Sequence, residues 1–227
     1  MGVKEIREKH SILRHVYEVT NRSWLYVGST MAALGAMMII QAAVQAKRII
    51  GDMSFLGPVF LKMFLREYGP VIVSVLLATR YGASSAAQLA LLRLTEQLDA
   101  YVLHGMPVRR MFVWPRVWAG VIGFLPITVW GIASAFGVSA LVAHHYYDVP
   151  WYVYFNLREI VLLDVILCVF KSVLFGAAVP WVACACALRS SDTRCDVGSA
   201  TTNAVVYGSL AVFVLNCIVG IALGLCA

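Results

Sequence analysis

Charge is scarce in this sequence. Of its 227 residues only 13% are Asp, Glu, Lys or Arg, about half the share of an average soluble domain, whereas 61% are hydrophobic. Such a chain cannot clothe a water-facing surface, which excludes the ordinary soluble globular enzymes. Catalytic signatures are missing too: there is no G-x-x-x-x-G-K-[ST] phosphate loop, no G-x-S-x-G elbow and no H-E-x-x-H helix. Any ATP hydrolysis tied to this protein has to come from a partner, and no cofactor is expected on the chain itself. The six cysteines form no disulfide framework, since Cys168, Cys184, Cys186, Cys217 and Cys226 lie in apolar sequence and only Cys195 has polar neighbours. Cys184-Ala185-Cys186 lacks the spacing of a zinc pair, and His144 and His145 are expected across the membrane from it, so no metal site is expected. The opening MGVKEIREKH has neither the apolar core of a secretory signal nor the Ser or Thr of a myristoylation signal; the N-terminus is expected to remain on the mature protein.

What the sequence has in quantity is long uncharged runs. A helix rising about 1.5 Å per residue needs roughly 20 apolar residues to cross a bilayer core. Ser23–Ala46, Val117–Ala143 and Ser199 to the C-terminus offer such runs; Ile160–Leu188 is equally apolar but contains Asp164 and Lys171, and a further run follows Arg66-Glu67-Tyr68-Gly69-Pro70 to about Leu92, interrupted by Arg80. The reading is an all-α membrane protein of about five spans (23–227), preceded by an interfacial amphipathic helix (1–22) in which Val3, Ile6, His10, Leu13 and Val16 or Tyr17 recur at helical spacing. A linker with Gly51, Asp52, Gly57 and Pro58 is expected between the first two spans. A short amphipathic cytoplasmic helix is expected within 93–116, which is too charged for lipid.

Lys and Arg fix the orientation. With the N-terminus inside, residues 1–22 carry five, 80–116 five, and Arg189 and Arg194 two more; outside stand Lys47, Arg48, Lys62, Arg66 and Arg158. The C-terminus is then outside. The net charge of +6 is spread between apolar runs, which argues against nucleic acid as a partner.

Ionisable groups inside spans are candidate functional sites because each is expensive in lipid unless paired or wetted. Lys171 lies too deep in its span to reach water easily, and either Asp164, two turns up the same helix, or Glu67 from another helix would lower the cost. Arg66-Glu67-Tyr68-Gly69-Pro70 sets opposite charges beside two residues that loosen a helix, a place where a lipid headgroup could be met.

Six ordered motifs resemble the MlaE/YrbE permeases that work with MCE-domain proteins in lipid transport. Arg66-Glu67-Tyr68-Gly69-Pro70-Val71 is similar to R-E-L-G-P-V, Ala78-Thr79-Arg80-Tyr81-Gly82-Ala83-Ser84 to A-G-R-x-G-S, and Thr95-Glu96-Gln97-Leu98-Asp99-Ala100 to T-E-Q-I-D-A. Pro107-Val108-Arg109 with Pro115-Arg116 and Ala119-Gly120 follows, then Lys171-Ser172-Val173-Leu174-Phe175-Gly176 and Gly198-Ser199-Ala200-Thr201-Thr202 with Val205-Val206. The resemblance implies a homodimeric permease in the bacterial inner membrane, worked by two cytoplasmic ABC ATPases that bind ATP and Mg, joined to an MCE-domain protein outside, and with room for a small cytoplasmic accessory subunit. It implies a phospholipid-class cargo in a cavity at the dimer interface lined by Gln41, Arg66, Glu67, Tyr68 and Lys171. Glu96, Gln97 and Asp99 would couple to the ATPase.

Two departures stand out. Gln88 replaces an acidic residue usual in the family, and Asn216 stands where the last span usually has an aspartate. Asp164, Asn216 and Arg80 therefore enter as structural charge partners, with Lys171 expected to turn to Asp164 or Glu67. The loop 188–197, with Cys195, lacks the family's glycine-rich character. Two other classes remain open: an ion-coupled secondary transporter using Lys171, Asp164 and Glu67 as a relay, and a membrane lipid-modifying enzyme, for which the sequence supplies no nucleophile and base.

Overall fold

The computed structural model describes residues 2–49, 56–105, 107, 109–147, 149–155, 161–189 and 197–226. The loop 190–196 with Arg194 and Cys195, together with Gly51, Asp52, Asp148 and Arg158, lies outside them. Every regular element among the described residues is helical: α1 (Gly2–Ile49), α2 (Leu56–Met63), α3 (Gly69–Leu77), α4 (Ala83–Leu94), α5 (Gln97–Leu103), α6 (Trp114–Tyr147), α7 (Trp151–Tyr154), α8 (Leu162–Arg189) and α9 (Val197–Cys226), with π turns at Phe64–Tyr68, Ala78–Gly82 and Arg109–Val113.

Four stretches, Ile12–Arg48, Met111–Tyr147, Leu162–Arg189 and Val197–Leu223, are long and apolar enough to cross a membrane. They coincide with four of the apolar runs. The remaining run is built as segments: α2, a π turn, α3, a second π turn and α4 follow one another from Leu56 to Leu94 without a gap. The linker expected over Gly57 and Pro58 is instead the first turn of α2, a position where proline's missing N–H costs nothing. α1 runs unbroken through the boundary at residue 22 between the expected interfacial helix and the first span. The side chains of residues 2–11, on which much of the amphipathic reading rests, lie outside the described set.

Two compact units share these helices, and the divisions fall after Ser23, Val73, Leu125 and Lys171, inside α1, α3, α6 and α8. The first unit holds residues 1–23, 74–125 and 172–227. Its core is made of small side chains, Ala86, Ala183, Cys184, Ala187 and Ala204, with Leu89, Val113 and Val117. Small residues allow helices to pack by van der Waals contact in lipid, where hydrophobicity gives no drive for association. α6 and α8 meet at Gly120, where a Cβ would lie 2.2 Å from the carbonyl oxygen of Gly176. Pro180 stands four residues after Gly176 and has no N–H for that carbonyl. Arg93 reaches from α4 to donate to the Leu188 carbonyl at 2.6 Å, tying down the end of α8. α9 packs on α4 and the second π turn, yet only 17% of its most apolar stretch is buried. Leu210, Phe213, Val214 and Ile218 stand exposed along it, an arrangement suited to lipid and not to water.

The second unit holds residues 24–73 and 126–171. Here α1 and α6 approach backbone to backbone, since a Cβ on Gly35 would lie 2.6 Å from the carbonyl oxygen of Ala135. Trp130 packs against Trp24 and donates from Nε1 to its carbonyl at 3.1 Å. α7 lies on α2, and the Tyr154 and Ser139 hydroxyls share a buried hydrogen bond of 2.6 Å. Leu61, Ile132 and Cys168, with Leu65 and Phe136, fill the space between α2, α6 and α8.

Candidate functional site

The second unit carries the charged site, and Pro70 explains its shape. In a regular helix the carbonyl of Arg66 would accept from the N–H of residue 70, but proline has none, and its ring would press on that carbonyl. The chain opens into the π turn Phe64–Tyr68, with the Gly69 N–H reaching back to the Phe64 carbonyl. A π turn inside a helix leaves backbone groups in need of other partners and is often found at functional sites. Gly69 can turn there because it has no side chain: a Cβ would stand 2.7 Å from Ile132.

Lys171 supplies what the π turn lacks. Its ammonium donates to the Arg66 carbonyl at 3.0 Å and to Glu67 Oε2 at 2.8 Å. The lysine is wholly buried, while the glutamate side chain keeps 42% of its exposure. One cation thus satisfies both the acceptor orphaned by Pro70 and the carboxylate beside it. Tyr68 stacks obliquely on Phe64, ring centroids 6.0 Å apart.

Of the two carboxylates that could serve Lys171, the geometry brings Glu67. Asp164 is buried but works locally at the start of α8, where its Oδ2 accepts from the Val161 N–H at 3.3 Å and its own N–H donates to the Val161 carbonyl at 2.9 Å. Gln41 is exposed on α1, and among the described residues no hydrogen bond joins it to Arg66 or Glu67. In the first unit, Arg80 is exposed within the second π turn and Asn216 is half-buried on α9.

Glu96, Gln97 and Asp99 are all exposed at the start of α5, whereas Leu98 between them is buried, so α5 lies on its own unit by one face and presents its polar face outward. Glu96 has φ of 56°, the left-handed region that costs a side-chain-bearing residue about 1 kcal/mol or more. Gly105 closes the helix at φ 69°, where glycine is at ease.

Sequence reasoning named Arg116 only as part of a motif and gave it no role. It is a buried cation on α6, donating to the Phe112 carbonyl at 2.7 Å and to Gln88 Oε1 at 3.1 Å, while its own carbonyl accepts from Tyr81 at 3.0 Å. Among the described residues no carboxylate lies within ion-pair distance of it. The available signal was Gln88 itself, the departure from an acidic position.

Comparison with known proteins agrees with this architecture. The sequence model of the family described as Permease MlaE matches residues 12–222. A probable ABC transporter permease of Synechocystis is 32% identical over 82% of this chain and 72% of its own length. The probable ABC transporter permease ycf63 of Pyropia yezoensis is 31% identical over 72% of this chain, which spans 63% of that relative's length. The intermembrane phospholipid transport system permease MlaE of Haemophilus influenzae is 28% identical over 86% of this chain and 72% of its own.

Proposed function

The chain belongs to the MlaE permease family, a multi-pass ABC transporter permease, and from that premise we propose that it carries phospholipid-class lipid through the membrane for a partner ABC ATPase. The observation that carries this reading is the Lys171–Glu67 pair on the π turn. A charged pair held in an otherwise apolar bundle serves a polar cargo group passing beside apolar walls. Gln41, Arg66, Glu67, Tyr68 and Lys171 are the residues proposed to line the lipid path, completed by a second copy of the chain across a homodimer interface. The exposed polar face of α5, with Glu96, Gln97 and Asp99, is the proposed seat of the ATPase, which binds ATP and Mg. An MCE-domain protein is the proposed partner on the outer side, with the N-terminus cytoplasmic, the C-terminus outside, and the bacterial inner membrane as location. Asp164, Arg80 and Asn216 take supporting roles in the charge balance.

The energetic logic is division of labour. The permease needs no catalytic group of its own, only two arrangements of its helices that a soluble motor can interconvert. Mass spectrometry of the tagged chain purified in mild detergent tests the proposal: an ATPase, an MCE-domain protein and bound phospholipid are expected together. A chain that comes alone and free of lipid contradicts it.

A further inference from the structure

The charged site is not electrically balanced, and the imbalance has a sign. Lys171 Nζ donates to Glu67 Oε2 and to the Arg66 carbonyl together. What remains on the same stretch of helix is donors. Arg66 is half-buried, and Lys62 stands one turn before it, also half-buried. Among the described residues neither has a carboxylate within ion-pair distance. Like charges one helical turn apart repel, so the pair Lys62 and Arg66 is itself a cost that a bound anion would relieve.

We propose that this turn selects lipids whose headgroup carries net negative charge, its phosphate lying between Lys62 and Arg66, over zwitterionic lipids of the same chain length. The inference rests on the lipid-carrying reading above and adds to it a charge class. The physical ground is the inventory of partners. A phosphodiester suits both cations, the guanidinium through paired N–H donors and the ammonium as a point charge. A choline or ethanolamine group brings a further cation to a stretch where Lys62, Arg66 and Lys171 already stand against the one carboxylate of Glu67. Lys62 also extends the site one turn into α2, beyond the Arg66–Pro70 motif that marks it in the sequence.

The test uses the full chain reconstituted in nanodiscs of equal parts phosphatidylglycerol and phosphatidylethanolamine, followed by extraction and mass spectrometry of the lipid that stays with the protein in detergent. Wild type is expected to retain phosphatidylglycerol over phosphatidylethanolamine by about fivefold, the ratio that one half-exposed ion pair supplies. Lys62→Gln should bring the ratio toward one, and Lys62→Arg should restore it, a rescue that a purely structural role for Lys62 would not follow. Millimolar inorganic phosphate should leave the retained lipid in place; displacement of phosphatidylglycerol by phosphate would make this a free-anion site and overturn the proposal. Lipid retained in the bulk ratio by wild type would overturn the charge selection alone and leave the lipid path standing. Protein that retains no lipid of either kind would remove the lipid path and this inference together.

Discussion

Lys171 is the residue on which the second unit's chemistry turns, and the cost of disturbing it depends on which partner is removed. Glu67→Gln strands a wholly buried ammonium. A fully buried pair broken this way loses 3–5 kcal/mol; with Glu67 at 42% exposure the expected loss is about 2 kcal/mol. Lys171→Met removes the cation beside Glu67 and the donor to the Arg66 carbonyl together, and should cost about 1 kcal/mol. Thermal unfolding in one detergent should therefore rank wild type above Lys171→Met and Lys171→Met above Glu67→Gln; the reverse order would mean the pair is not what buries the lysine. At Arg116 the expectation runs the other way. Gln88→Glu places a carboxylate where an amide oxygen already accepts at 3.1 Å, and a charge-assisted bond should add about 1 kcal/mol, read as a raised melting temperature. The sequence pointed to Lys171 as needing a carboxylate and named Glu67 among the two within reach. It could not choose, because Asp164's role at the start of α8 depends on the backbone path around Val161, which has no signature in side-chain spacing.

Among the elements, the run from α2 to α4 shows what sequence periodicity can and cannot see. Arg80 and the Gly69-Pro70 step marked it as interrupted, and Pro70 removes a helix donor, yet the π geometry depends on where the displaced carbonyl finds a new donor, and Lys171 lies more than a hundred positions away. α2 was hidden for a related reason: Gly57 and Pro58 signal a turn, but proline in a first turn is equally at home in a helix. The α6–α8 contact yields a sharp expectation. Gly120→Leu drives a side chain onto the Gly176 carbonyl, where a Cβ would already stand at 2.2 Å, and should cost at least the ~3 kcal/mol upper end of ordinary overpacking. Gly137→Ala on the same helix meets nothing within 4 Å and should leave expression and melting temperature unchanged. At α5, Glu96→Gly relieves the left-handed backbone at φ 56° while removing the carboxylate. It should match or exceed wild type in thermal stability, and if the side chain contacts the ATPase, it should still lose stimulation of ATP hydrolysis by lipid. Unchanged stimulation would show that Glu96 shapes the turn and touches no motor.

For the molecule as a whole, the uncharged runs were enough to give an all-α membrane protein, because the bilayer admits few alternatives for backbone groups that water cannot reach. Lipid as cargo and an external motor are what we propose from the family and the charged site taken together. The most direct measurement is transfer of a headgroup-labelled phospholipid by the permease reconstituted with its ATPase in proteoliposomes, with and without ATP. Transfer is expected to need ATP and to fall at least tenfold in Glu67→Gln protein still able to hydrolyse it. Transfer at the same rate without ATP, or in the Glu67→Gln protein, would contradict the proposal.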